Sequence, residues 1–281
     1  MDIDIGIAGW ALNGEILREK TLTLLEFPAV CREFGVRTVE LVSSFFASQH
    51  AKYLNELRRA LEDNGLSVRN IAVDMGNIAG PDPKERRTDL EALKQWFYVA
   101  SAIGSQAIRI NTGHPNPGGG WVPTEPVPQE ALDRVVEGYR ELVEVGRQAG
   151  VKLLIENHGG ISADPKNIAY ILEQLDTEWF GTCPDTANFP IPDTWEEGMR
   201  IMAPRAFSCH VKVFSYDPSG RQLRIGRDGR VIEYDLKRAL QILKDAGYQG
   251  PLCIESGASA TERDSIRDAI PYVRALWQSL S

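Results

Sequence analysis

The sequence predicts a (β/α)8 barrel, and three observations lead to that fold class. Apolar, strand-like runs alternate eight times with longer amphipathic segments, which is typical of repeated strand–helix units. The composition shows no break along the 281 residues, a common length for an α/β barrel built as one domain. No GxGxxG turn follows the first strand, which disfavours the alternative, a doubly wound sheet. We therefore expect a single barrel domain over residues 1–281.

Each of the eight units pairs a short apolar run with an amphipathic segment. Continuous apolar runs rich in β-branched residues predict strands that are buried on both faces, and the amphipathic segments predict the outer helices. In order, the predicted strands and helices cover residues 3–9 and 28–34, 36–42 and 50–64, 66–73 and 84–103, 106–110 and 129–149, 151–156 and 165–175, 179–184 and 195–202, 206–213 and 235–246, and 251–255 and 261–278.

Residues at the boundaries support these assignments. Glycine follows five of the predicted helices and precedes a strand, at positions 35, 65, 104, 150 and 247, where a left-handed residue ends a helix. Asp164 stands before Pro165, which indicates an N-cap followed by proline at the first helical position.

Composition and charge argue against nucleic acid and membrane as partners of this protein. The chain has 31 basic and 39 acidic residues, a formal net charge of −8, which argues against a nucleic-acid partner held by phosphate contacts. The first residues, MDIDIGIAGW, lack the pattern of a signal peptide, and no run approaches the roughly 18 apolar residues of a membrane span. We expect a cytoplasmic protein without a membrane partner. The oligomeric state stays open, a homo-oligomer included.

Four late strand ends carry side chains that bind hard metal ions. The runs VKLLIENHG, FGTCPD, AFSCHVK and PLCIE supply Glu156, Asp185, His210 and Glu255. The carboxyl ends of barrel strands meet at one mouth, so these groups are expected to converge there. Unpaired charges are unfavourable in apolar runs, so the set predicts either a metal site or a buried salt-bridge cluster.

The same segments resemble a known family. IENHG, PDTAN, CHVK, CIES, the VELV run around Glu40 and the KDAGYQGPLCIE run resemble the xylose isomerase-like superfamily of sugar isomerases and epimerases. The resemblance implies one divalent cation, Mn²⁺ first and Mg²⁺ or Co²⁺ as alternatives, bound by Glu156, Asp185, His210 and Glu255. It also implies that the two glutamates exchange a proton on a small sugar or keto-polyol substrate.

The chemistry of these groups supports more than one reaction. Removing a proton beside a carbonyl leaves negative charge on oxygen, and a bound cation stabilises the resulting enediolate. One carboxylate takes the proton, and the other returns it from the opposite face or to the neighbouring carbon. Isomerisation or epimerisation is the first hypothesis. The alternatives are a metal-dependent dehydratase of a keto-sugar or keto-inositol, and a weakly active metal-containing subunit of a larger complex.

A barrel nuclease of the endonuclease IV type is disfavoured by the histidine count. Its three-metal cluster needs more histidines than the four in this chain, and Asn188 stands where that pattern has a histidine three residues after the aspartate.

Six further residues are candidates for contact with the substrate. His158 and Lys212 share strand-end faces with proposed ligands, and Asn188 follows Asp185 by three. Each also has an alternative without substrate contact: His158 orients a ligand, Lys212 pairs with a ligand carboxylate, and Asn188 caps the turn. Glu40 and Arg109 are interpreted as an ion pair inside the barrel.

Two loops supply the remaining candidates. The long glycine- and proline-rich loop 111–128 predicts a lid that brings Trp121 and His114 near the substrate. Turn signals in 214–234 predict a hairpin that presents Arg224 or Arg227. The alternatives to substrate contact are that His114 is an exposed loop residue and that the arginine is solvated.

Overall fold

A closed ring of parallel strands organises the protein. The computed structural model describes residues 3–116, 119–191, 193–225, 229 and 231–281. Ten strands lie within these residues: β1 (Ile5–Ala8), β2 (Thr38–Val42), β3 (Ser67–Val73), β4 (Ala107–Ile110), β5 (Lys152–Ile155), β6 (Phe180–Thr182), β7 (Cys209–Lys212), β8 (Arg221–Ile225), β9 (Val231–Asp235) and β10 (Leu252–Ser256). Eight of them form one sheet in the order β6-β5-β4-β3-β2-β1-β10-β7.

The ring closes between β6 and β7 through two short contacts. Parallel bridges join Thr182 to Ala206 and Asp185 to His210, and the His210 amide donates to the Pro184 carbonyl at 3.0 Å. The predicted (β/α)8 barrel is therefore confirmed. Asp185 and His210, two of the proposed ligands, are cross-strand neighbours at this closure.

Eight α-helices surround the strands in the part of the chain that the structure describes. They are α1 (Phe27–Glu33), α2 (Ala51–Asp63), α3 (Pro83–Ile103), α4 (Gln129–Ala149), α5 (Pro165–Gln174), α6 (Trp195–Met202), α7 (Leu236–Asp245) and α8 (Glu262–Gln278). Each predicted helix is present, with ends that differ by at most a few residues. Among the residues described, no helix is long and apolar enough to cross a lipid bilayer.

Local chemistry explains several helix ends. The Asp164 carboxylate accepts a hydrogen bond from the Lys166 amide at 2.9 Å, so the predicted N-cap of α5 is confirmed. Gly104 ends α3 at a φ of +76°, a conformation that is strained for residues with a β-carbon. Leu54, Leu57 and Leu61 lie three or four residues apart in α2 and are buried, as an amphipathic helix packed on a barrel requires.

A hairpin interrupts the regular alternation after β7. The strands β8 and β9 pair antiparallel with each other and with no other strand in the described residues. The hairpin predicted in 214–234 is thus confirmed. Arg224 lies opposite Ile232 in this pair, whereas Arg227 falls outside the residues that the structure describes.

Candidate metal centre and active site

The four proposed ligands come together at the carboxyl ends of adjacent strands. Glu156 follows β5, Asp185 follows β6, His210 lies in β7 and Glu255 lies in β10. One ligand atom from each of Glu156, Asp185 and His210 lies within 4.8 Å of the others, and all three residues are buried. Glu255 Oε1 lies 3.8 Å from His210 Nδ1. The geometry therefore brings a carboxylate-rich, imidazole-containing set to one place.

Glu156 is held by a buried arginine. Its Oε2 lies 2.7 Å from Arg109 Nε, and Arg109 Nη1 lies 2.5 Å from Asp74 Oδ1. Burial by itself raises the pKa of Glu156, but the Arg109 guanidinium and His210 outweigh it and hold that pKa well below its usual range. The predicted pair between Glu40 and Arg109 is wrong, because Arg109 reaches these two carboxylates instead.

Glu40 orients His210. His210 Nε2 lies 2.5 Å from Glu40 Oε2, and the Ser208 hydroxyl donates to the other oxygen of Glu40. This leaves His210 Nδ1 facing Glu156 Oε1 at 3.2 Å. A carboxylate on one ring nitrogen commonly fixes which nitrogen of a histidine binds a metal. The sequence predicted Arg109, not His210, as the partner of Glu40.

Lys212 connects two proposed ligands. Its Nζ lies 2.5 Å from Asp185 Oδ2 and 2.7 Å from Glu255 Oε2, and it donates to Asn188 Oδ1 at 2.8 Å. Asn188 Nδ2 in turn donates to Glu156 Oε1 at 3.3 Å. Two of the predicted substrate contacts, Lys212 and Asn188, thus belong to one hydrogen-bonded network with the ligand carboxylates.

The cluster carries more negative than positive charge. It contains five carboxylates and two permanently cationic side chains: Glu40, Asp74, Glu156, Asp185 and Glu255 with Arg109 and Lys212. Burial, reinforced by the charges of Glu255 and Glu156, outweighs Lys212 and raises the pKa of Asp185 to about 7. For Glu255, Lys212 and His210 outweigh burial and lower the pKa to about 2.

The residues present fit a hard divalent cation. Glu156 Oε2 and Glu255 Oε2 are buried and form no aligned hydrogen bond within the described part of the chain, although each faces a basic side chain as an ion pair. Such oxygens, together with the excess negative charge and the imidazole, suit Mg²⁺ or Mn²⁺.

A second group shares His210 but is less suited to metal. Glu40, Cys183 and His210 also offer ligand atoms within 4.8 Å of one another. Burial raises the pKa of Cys183, which disfavours the thiolate that a metal ligand must be, and Glu40 already accepts a hydrogen bond from Ser208.

A cavity of about 820 Å³ opens beside the cluster. His158, Asn188, Lys212, Trp121 and Arg224 all line it, as do His210 and Glu255. His114 is not among the lining residues. It is half-buried beside Gly160, and its amide donates to Asn77 Oδ1 at 3.0 Å. Five of the six predicted substrate contacts therefore face the cavity, and the substrate role of each stays a prediction.

The loop predicted to be a lid brings an aromatic ring to the wall of the cavity. The Trp121 ring lies edge-on to His158 with centroids 4.9 Å apart. Gly159 has a φ of +69°, and a β-carbon there would lie 2.6 Å from the Trp121 ring. Only glycine therefore permits this close approach.

The family model described as a xylose isomerase-like TIM barrel matches residues 28–276. The chain belongs to this family. One curated relative is the L-ribulose-5-phosphate 3-epimerase UlaE of Escherichia coli K12, which is 24% identical over 220 residues, or 73% of this chain and 70% of the relative.

Solved structures of the family share the whole fold. A xylose isomerase-like barrel from Mycobacterium smegmatis in complex with magnesium has a TM-score of 0.70 and 17% identity, and the match covers 99% of this chain and 98% of the other. The 3-keto-D-glucoside 4-epimerase YcjR of E. coli has a TM-score of 0.73 and 16% identity, with 97% and 99% covered. At this identity the similarity shows the fold alone.

Proposed function

We propose that this family member is a sugar epimerase or isomerase that uses one divalent cation, with Mn²⁺ first and Mg²⁺ or Co²⁺ as alternatives. The observation that carries the proposal is the convergence of Glu156, Asp185, His210 and Glu255 beside a large cavity. The 3-epimerase activity named for the curated relatives supports a ketose or related keto-sugar as the substrate class.

The cation and the side chains around it have roles that follow from their chemistry. When bound, the cation supplies Lewis-acid stabilisation of negative charge on the substrate oxygen. Glu156 and Glu255 remove and return the proton beside the carbonyl, because carboxylates positioned within reach of a carbon act as general base and acid. Lys212 and His158, which line the cavity, hold substrate hydroxyl or carbonyl oxygens, and Trp121 excludes water from one side.

Solvent deuterium uptake tests the proposal directly. The Mn²⁺-loaded protein is incubated in D₂O with a panel of ketoses, keto-inositols and 3-keto sugars, and the products are followed by NMR. We expect deuterium at the carbon beside the carbonyl, together with an epimer or an isomer of one substrate. Removal of Mn²⁺ with a chelator is expected to stop the uptake, and added Mn²⁺ to restore it.

Two other outcomes contradict the proposal. Loss of water with formation of an enone or diketone indicates a dehydratase built on the same residues. Bound metal without uptake into any member of the panel favours a binding role over an isomerase.

A further inference from the structure

Lys212 lies between two of the groups proposed to hold the cation. Its ammonium contacts Asp185 Oδ2 at 2.5 Å and Glu255 Oε2 at 2.7 Å. The side chain is only 12% exposed, so these contacts are poorly screened by water. Lys212 therefore supplies positive charge at the point where Asp185 and Glu255 approach each other.

Neither oxygen of Asp185 is free. Oδ1 accepts a hydrogen bond from the Ala187 amide at 2.7 Å, and Oδ2 contacts Lys212. A divalent cation that binds Asp185 must therefore share an oxygen that already has a partner, and at Oδ2 that partner is Lys212. At Glu255 the oxygen nearest Lys212 is Oε2, whereas Oε1 faces His210. An ion bound by both carboxylates would thus lie beside an ammonium that already contacts each of them, and two cations this close repel strongly in a buried site.

The Lys212 ammonium has a hydrogen-bond partner besides the two carboxylates. Asn188 Oδ1 accepts from Lys212 Nζ at 2.8 Å, and both residues line the cavity. The long, flexible stem of lysine allows Nζ to leave the two carboxylates and keep the amide as a partner.

We propose that Lys212 competes with the divalent cation for Asp185 and Glu255, and that binding of the cation moves the ammonium off these carboxylates while it keeps Asn188 as a partner and faces the cavity. The inference rests on the metal site of the proposed function. It assigns Lys212 two positions: a counter-ion of the ligand carboxylates, and a cation facing substrate oxygens when the metal is bound. Metal occupancy would then place a second positive charge beside the substrate.

The affinity for Mn²⁺ tests the competition. Calorimetric titration of the full chain with Mn²⁺ is compared between the wild type and Lys212→Met, which keeps the length of the side chain and removes its charge. We expect the Kd to fall by about tenfold or more, as for other couplings between two binding events. Lys212→Arg retains a cation and is expected to bind Mn²⁺ with an affinity near that of the wild type.

A matched control separates direct competition from the general field of the cavity. Arg224 lines the same cavity and forms no ion pair with the four carboxyl and imidazole ligands among the described residues. Arg224→Met removes one positive charge without touching these ligands, so we expect its Kd to change by less than about threefold, as a screened, more distant charge should. Equal gains in affinity for Arg224→Met and Lys212→Met would overturn direct competition.

A structure of the wild type with Mn²⁺ gives a readout independent of affinity, and it does not depend on the folding of any variant. Lys212 Nζ is expected beyond hydrogen-bond distance of Asp185 Oδ2 and within reach of Asn188. An ion held by the ligands with Lys212 still bridging both carboxylates refutes the inference and leaves the proposed function standing. Failure of both the wild type and Lys212→Met to bind Mn²⁺ refutes the metal site and the inference together.

Discussion

Glu156 and Glu255 occupy similar positions at strand ends, but different cations hold them. Arg109 lies on the neighbouring strand β4 and faces Glu156, whereas Lys212 lies on β7 and faces Glu255. The Arg109 guanidinium is buried at one oxygen of Glu156, and His210 and Asn188 contact the other, so Glu156 is fixed on two sides. Glu255 has one close cationic partner on a flexible side chain, lies 3.8 Å from His210 and borders the cavity. Within the proposed reaction, Glu255 is therefore the more mobile of the two proton carriers.

Neutralising either glutamate tests its role in proton transfer. Glu156→Gln and Glu255→Gln keep the size of the side chain but remove the group that accepts the proton. We expect each substitution to lower the rate of deuterium uptake by at least about 10²-fold, the usual contribution of a general acid or base. The measurement is the uptake rate with Mn²⁺ present, accompanied by thermal melting to confirm folding.

Glu137→Gln is the matched control for this experiment. Glu137 is exposed on α4 and forms no ion pair with any residue that the structure describes, so its replacement should leave uptake unchanged. Near-normal uptake in Glu156→Gln or Glu255→Gln would remove that residue from the proposed proton transfer.

At this scale the sequence predicts positions better than partners. Glu156, Asp185, His210 and Glu255 could be found because each ends a recognisable strand, and strand ends meet at one mouth of a barrel. The partners of Glu40 and Arg109 could not be found, because they depend on how the strands are staggered around the ring. The shift of register between β2 and β3, next to Glu40, is one such feature that no local pattern signals.

Among the elements, α3 and α4 are joined by a cluster of surface charges. Glu141 on α4 contacts Arg87 at 2.7 Å and Lys94 at 2.6 Å, and both of these lie on α3. Hydrogen bonds from Arg87 and Lys94 lower the pKa of Glu141 to about 2. The glutamate is about one-third exposed, so solvent weakens these interactions, as is typical of surface networks.

The stability that Glu141 contributes should depend on pH. Because its pKa is lower in the folded protein than the usual 4.5, the stabilisation is fully present above pH 4.5 and is lost as the pH falls through about 2. We expect Glu141→Gln to lower the free energy of unfolding by about 0.5–1 kcal/mol at pH 7 and by roughly half of that or less at pH 3. Urea denaturation at pH 7, 5 and 3 measures the difference.

The Glu137→Gln variant serves here too, since it removes a charge from the same helix without breaking an ion pair. An effect of Glu141→Gln that is equally large at pH 7 and pH 3 would rule out ionisation as its cause.

The elements themselves could largely be predicted from the sequence. The helices α3, α4 and α8 are long, and their apolar residues recur at helical spacing. The residues that begin and end them lie next to them in the sequence. The short helices Gly9–Leu12 and Gly14–Arg18 were not predicted. They lack apolar periodicity, and their conformation depends on contacts such as the Glu262 carboxylate, which accepts from the Gly14 amide at 2.7 Å.

For the molecule as a whole, one arginine reaches across the ring to the seam where it closes. Arg69 lies in β3, yet its Nε and Nη2 donate to the Phe207 carbonyl just before β7, at 2.9 and 2.6 Å. The guanidinium carbon also lies 3.4 Å from the centre of the Phe207 ring. The Phe207 amide donates to the Thr182 carbonyl at 2.9 Å, so the arginine supports the seam between β6 and β7 from the opposite side of the barrel.

Removing this arginine should destabilise the whole barrel. Arg69→Met keeps most of the apolar stem and leaves the Phe207 carbonyl without its charged donors, so we expect a loss of about 2–3 kcal/mol in the free energy of unfolding. Chemical denaturation measures the loss, with Arg200→Met as the control. Arg200 pairs with Glu196 on the exposed face of α6, and its removal should cost about 0.5 kcal/mol or less. Similar losses for the two variants would contradict a special role for Arg69 in closure.

The β8–β9 hairpin has a consequence for how this scaffold diversifies. Among the strands described, its two strands form backbone pairs only with each other, yet Arg224 and Ile232 line the cavity. Exchanging these side chains therefore leaves the backbone ladder of the ring intact. Substitutions in this hairpin can therefore change which molecules enter the cavity while the proposed metal ligands and proton carriers stay the same.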